Sequence, residues 1–100
     1  MLELNKVQTG TKLTVKLSGR LDTTTVAEYQ AEMNDALEGI SELVLDMDGL
    51  QYISSAGLRV ILASSKKMGA QGGGFRIINA AQNILEIFEV TGIDSILTIN

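Results

Sequence analysis

The sequence predicts an α/β fold: a mixed sheet that opens with a β-hairpin and carries crossover helices mainly on one face. Three observations predict it. Leu13, Val15 and Leu17 alternate with Thr14, Lys16 and Ser18, the period-2 signature of a strand with one buried face. After Thr25 the apolar spacing lengthens to three and four, the mark of a helix. From there helical and extended stretches alternate to the end of the chain.

Leu2-Glu3-Leu4 and Val7 suggest a short first strand, turned at Thr9-Gly10 into the second, which runs from Thr11 to Leu21. Val26, Tyr29, Met33, Leu37 and Ile40 form one face of the first helix. Thr25 with Glu28 fits a capping box, and Gly39 is the expected stop. Glu42 to Met47 holds the apolar run Leu43-Val44-Leu45, as expected for a strand covered on both faces. A second helix is expected from Ser55 or Ala56 to about Met68, with Leu58, Ile61 and Leu62 buried and Lys66 and Lys67 favouring its carboxyl end. Gly69 to Gly74 reads as a loop leading into the strand Phe75 to Ile78. A third helix follows, with Ala81, Ile84, Leu85 and Phe88 on one side and Gly92 as its stop, and Ile96 to Ile99 is the last strand. Two opening strands followed by helix–strand alternation imply a mixed sheet, and right-handed crossovers place the helices largely on one face.

Composition narrows the function before any motif is considered. The 100 residues suit a single domain, 1–100, around one core. No apolar run reaches the ~18–20 residues that cross a bilayer, so no membrane role is expected. The order of Met1 to Lys6 is not that of a secretory signal, and a cytoplasmic protein is the expectation. A net charge of −4, with only eight basic residues and these scattered, argues against a nucleic-acid partner. The chain has neither cysteine nor histidine. That removes thiolate and histidine metal sites and the Ser–His–Asp relay, so catalysis would have to rest on Asp, Glu, Lys or Tyr. A non-enzyme without cofactor is expected.

The informative stretch is Leu45-Asp46-Met47-Asp48-Gly49-Leu50-Gln51-Tyr52-Ile53-Ser54-Ser55-Ala56-Gly57-Leu58. It reads as a buried strand ending in two carboxylates, a short loop, and two serines where a helix begins. Helix amino termini present unpaired N–H groups and partial positive charge, so a phosphate placed there is tolerated. On spacing alone, Ser54 or Ser55 is equally a helix cap. Asp22, Asp46 and Asp48 are expected near the serines at strand ends. As a trio they could suggest Mg²⁺, but cap and turn roles account for them, and no metal site is expected. The glycine run lacks the Gly-Lys-Ser/Thr ending of a phosphate loop. Ser64-Ser65-Lys66-Lys67 has a Ser-x-x-Lys spacing, but at the end of a helix and without the further elements an acyl enzyme needs. Ala56-Gly57-Leu58 with Ile61 could form an exposed apolar rim for a partner.

Ser18-Gly19-Arg20-Leu21-Asp22 followed by a helix, then Leu45-Asp46, Tyr52-Ile53-Ser54-Ser55-Ala56-Gly57-Leu58-Arg59 and Phe88-Glu89-Val90-Thr91-Gly92-Ile93, resembles the STAS family over nearly the whole chain. The resemblance implies a mixed sheet of four or five strands backed by helices. It also implies an anti-sigma factor antagonist that binds a serine kinase anti-sigma factor, is released by phosphorylation at the loop–helix junction, and is reset by a serine/threonine phosphatase. Matching Gly57-Leu58 to the family's Gly-Leu places the phosphorylated residue at Ser55, with Ser54 the second choice. Ser54 stands where better-studied members have Asp, and the chain stops before the last helix many members carry. Partner contacts are expected from Asp22, Asp46, Asp48, Ser54, Ser55, Ala56, Gly57 and Leu58. A monomer or weak homodimer is expected. The alternative within the family is a constitutive structural subunit of a transport or stress-sensing complex, with the serine a simple cap.

Overall fold

The computed structural model describes residues 1–99. Its elements are β1 (Leu2–Thr9), β2 (Lys12–Leu21), α1 (Val26–Ala36), β3 (Glu42–Ile53), α2 (Ser55–Ala70), β4 (Gly74–Ile78), α3 (Gln82–Thr91), a 3₁₀ turn (Ile93–Ser95) and β5 (Thr98–Ile99). The five strands form one sheet in the order β1-β2-β3-β4-β5. β1 is antiparallel to β2, and β2, β3, β4 and β5 run parallel. None of the described helices is long and apolar enough to cross a membrane.

Each parallel step passes through one helix and moves one strand further in the same direction. Right-handed crossovers therefore put α1, α2 and α3 on the same face. The thinnest dimension, 19 Å, is that of one sheet under one helical layer. Register lines up the core: Leu13 beside Leu43 beside Phe75, and Val15 beside Leu45 beside Ile77. Tyr29 and Met33 from α1, Leu58, Ile61 and Met68 from α2, and Ile84 and Phe88 from α3 close over these rows.

The hairpin, Tyr29 and Met33 on α1, Ile84 and Phe88 on α3 and the Gly92 stop at φ 78° fall where the sequence puts them. α1 ends at Ala36, short of Gly39, and the final strand shrinks from Ile96–Ile99 to Thr98–Ile99 because Ile96 closes the 3₁₀ turn. The first strand is longer than expected because β1 stays paired with β2 from Leu2↔Gly19 to Thr9↔Lys12. Val44 is buried without a second helical layer: it sits on the helix-free face between Thr14 and Arg76, which shield it. The expected glycine loop shrinks to Gln71–Gly73, since Gly69 and Ala70 stay helical and Gly74 begins β4. Lys67 does not serve the end of its own helix: its ammonium donates to the Asn34 carbonyl of α1 at 3.0 Å. Beside it the Gln71 amide donates to the Leu37 and Ile40 carbonyls at 3.0 and 3.2 Å, tying α2 to the end of α1.

The largest correction concerns β3, which does not stop at Met47 but continues to Ile53. β2 remains its hydrogen-bonding partner to Leu21, and β3 absorbs two extra residues on the way. The register moves from Lys16↔Asp46 to Ser18↔Gly49, and again from Gly19↔Leu50 to Arg20↔Tyr52. These are β-bulges, and they re-aim the strand. Asp48-Gly49 lies within the first bulge and makes no turn. The core residues of this half are Met47, Leu50 and Ile53, three apart instead of two.

Candidate functional site

The site is built where β2 and β3 end together. Leu21 pairs with Ile53, and the Ser54 N–H donates to the Leu21 carbonyl at 2.9 Å, so Asp22 and Ser54 leave the sheet side by side. No loop intervenes between β3 and α2. Ser54 is extended (φ −96°, ψ 174°) and caps α2, its hydroxyl accepting from the Gly57 N–H at 3.2 Å. Ser55 is the first residue of the 16-residue helix and is exposed.

Sequence spacing leaves the two serines interchangeable, whereas here their positions differ. Ser54 is half-buried and committed to the cap, while Ser55 faces solvent at the positive end of α2. Their alanine variants are expected to separate accordingly. Ser54→Ala should cost about 1 kcal/mol of stability, and Ser55→Ala should stay within about 0.5 kcal/mol of the parent. Urea denaturation of both variants checks this, and equal losses would undo the division of labour.

Asp22 begins a tight turn into α1. Its Oδ1 accepts from the Thr24 N–H at 3.0 Å and the Thr24 hydroxyl at 2.7 Å, and Arg20 Nε stands 3.4 Å from Oδ2. The Thr24 hydroxyl, with the Thr24 N–H and the Arg20 charge, holds the Asp22 carboxyl below its ordinary range. A carboxylate is thus fixed next to the serines. The Thr25–Glu28 capping box does not form. The Thr25 hydroxyl instead accepts from the Asp22 N–H and donates to the Arg20 carbonyl, both at 2.9 Å. It is spent on closing the exit from β2.

Asp46 and Asp48 are not brought to this site. They precede Ile53 by seven and five residues of extended strand, roughly 20 and 15 Å away. Asp46 accepts from Asn79 Nδ2 and from the Asp48 N–H, both at 3.1 Å, and Asp48 lies 3.8 Å from Lys16 Nζ. The three aspartates do not converge.

The apolar rim is also absent in its expected form. Gly57, Leu58 and Ile61 are buried and Ala56 is half-buried. Exposed apolar groups at this end are Met1, whose carbonyl accepts from the Arg20 N–H, and Tyr52, 38% accessible, with the Arg20 guanidinium 4.4 Å from its ring centre. Sequence reasoning missed this pair, because only the second β3 bulge places Tyr52 beside Arg20. Ser64, of the Ser-x-x-Lys spacing, is buried, and its hydroxyl lies 2.7 Å from that of Tyr29.

The comparisons with known proteins agree with this architecture. The family model described as STAS domain matches residues 3–100. The chain is 32% identical to the Bordetella bronchiseptica protein BtrV over 84 residues, 83% of this chain and 72% of that protein. It is 23% identical to the anti-sigma-B factor antagonist of Bacillus subtilis over 86 residues, 86% of this chain and 79% of the other. Among solved structures, the Bacillus cell fate determinant SpoIIAA in its phosphorylated form superposes with a TM-score of 0.75 at 18% identity. That match covers 100% of this chain and 91% of the other.

Proposed function

The chain belongs to the STAS domain family, and from that premise we propose that it is an anti-sigma factor antagonist: a binding module, not a catalyst, switched by phosphorylation of Ser55. Unphosphorylated, it docks on a serine kinase anti-sigma factor through Asp22, Ser54, Ser55 and the exposed part of Ala56. Asp46 and Asp48 lie outside that surface, and Gly57 and Leu58 support it from within. A serine/threonine phosphatase resets the switch.

The observation that carries this reading is the exposed Ser55 at the amino end of α2, with the cap assigned to Ser54. A kinase can reach Ser55 without unfolding anything. The phosphate adds roughly −1.5 to −2 charges at the strand ends where Asp22 and Ser54 leave the sheet side by side. Docking would then have to desolvate a dianion beside a like charge, and the contact breaks. The names of the relatives support the antagonist reading, and the solved phosphorylated form of SpoIIAA supports a phosphorylation switch on this fold.

Incubating the protein with a kinase-type anti-sigma factor from its own host and ATP is expected to add one phosphate. Mass mapping should find it on Ser55, lost in Ser55→Ala and kept in Ser54→Ala. A phosphate mapped to Ser54, or none at all, overturns the proposal.

A further inference from the structure

The three helices differ in charge. α1 carries Glu28, Glu32 and Asp35 and no basic residue, and α3 carries Glu86 and Glu89 and no basic residue. α2 carries Arg59, Lys66 and Lys67 and no acidic residue. Strand order sets α2 between the other two, a basic helix flanked by acidic ones. These charges do not neutralise each other across the helix contacts: among the described residues, no ion pair joins α2 to another element.

Of the three cations, Arg59 stands in a particular relation to Ser55. Both are exposed, and they are four residues apart on one helix. Residues so spaced are stacked on one face, with Cβ atoms about 5–6 Å apart. Helical side chains lean toward the amino terminus, so Arg59 leans toward Ser55. An anion preceding a cation by four residues is also the favourable order for such a pair. Lys66 is eleven residues on, roughly 16 Å along the axis, and Lys67 is held by α1. Arg20, the other arginine at this end, is engaged by the Tyr52 ring and the Asp22 carboxylate.

We infer that Arg59 is the internal counter-ion of a phosphate on Ser55, an inference that rests on the reading of Ser55 given above. The phosphate lies across the first turn of α2 against the Arg59 guanidinium. Modification therefore does two things at once: it adds negative charge beside Asp22, and it removes from the exposed face of α2 its cation nearest the docking surface. A partner that meets this face with carboxylates loses attraction as well as gaining repulsion.

The test uses the intact protein with phosphoserine inserted at position 55 during translation, so it does not depend on any kinase accepting Ser55. Phosphorus NMR follows the second ionisation of the phosphate, ordinarily near pH ~6. Arg59→Gln is expected to raise that ionisation by about 0.3 pH unit, the size an exposed pair of this spacing supports, while Arg59→Lys keeps most of the effect. Arg20→Gln should leave it in place, and molar salt should shrink the Arg59 difference. An unchanged titration in Arg59→Gln, or a rise produced by Arg20→Gln instead, overturns the inference. Failure of the kinase to modify Ser55 would strike the proposed function and leave this result standing.

Discussion

Gly57→Ala is expected to destabilise the protein by about 2–3 kcal/mol, although alanine is the better helix former by about 1 kcal/mol. A Cβ at this position would stand 2.6 Å from the Leu21 carbonyl oxygen, 2.8 Å from Ile53 Cγ1 and 3.0 Å from Leu21 Cγ. The carbonyl cannot simply retreat, because it also accepts the Ser54 N–H at 2.9 Å and so fixes the start of α2. Either α2 lifts away from the ends of β2 and β3, or that hydrogen bond breaks. Gly69→Ala, in the same helix, is the internal control. A Cβ there meets nothing within 4 Å, so propensity alone acts and a gain of about 0.5–1 kcal/mol is expected. Urea unfolding of the two variants should show shifts of opposite sign. A Gly57→Ala protein as stable as the parent would mean that the helix does not press on the strand ends as described. Because Gly57 sets the distance between the α2 amino terminus and Asp22, the same variant should also weaken docking.

Above pH 10 the fold is expected to lose about 2–3 kcal/mol on account of one tyrosine. Tyr29 is 1% exposed and its hydroxyl lies 2.7 Å from Ser64 Oγ across the contact between α1 and α2. Burial pushes its ionisation from 10.0 up to about 12, with the Ser64 hydrogen bond pulling weakly the other way. The neutral form is favoured in the folded chain. The unfolded chain therefore releases this proton first, and stability falls as pH climbs from about 10 to about 12. Below pH 10 the contribution is fully present. Tyr29→Phe cannot ionise and should flatten that part of the profile, while costing about 1 kcal/mol at neutral pH for the partner lost to Ser64. Chemical denaturation at pH 8, 10 and 11.5 compares the two slopes. Parallel slopes would show that Tyr29 ionises as freely folded as unfolded.

Periodicity exposed the parts of this fold that obey a single repeat. Leu13, Val15 and Leu17 keep strict alternation because β2 has no extra residue before Ser18. Tyr29 and Met33 keep helical spacing because α1 presents one face to the sheet, while Leu37 at its cap and Ile40 beyond it are buried from the turn that follows. The second half of β3 was illegible for a definite reason. Its bulges set Met47, Leu50 and Ile53 three apart, a spacing that does not alternate as a strand does and is too short a run to read as a helix. The same bulges hid the neighbouring of Arg20 and Tyr52, and reading the stretch after Met47 as a loop made Asp46 and Asp48 look closer to the serines than extended strand to Ile53 leaves them. Thr25 misled in another way. Threonine before a helix with Glu three residues on satisfies the capping pattern, but its hydroxyl had nearer partners in Arg20 and Asp22. Assigning the cap to Ser54 and exposure to Ser55 required knowing where β3 ends.

The order of the strands has a bearing on how the molecule comes into being. Because every strand lies next to its predecessor in the chain, no segment has to be threaded between two that are already joined. A nascent polypeptide can complete the hairpin first and then add each helix–strand unit to the growing edge as it is synthesised. Such near-neighbour assembly keeps loop-closure entropy low for a partly parallel sheet, and it favours rapid folding with little time for unfinished edges to aggregate.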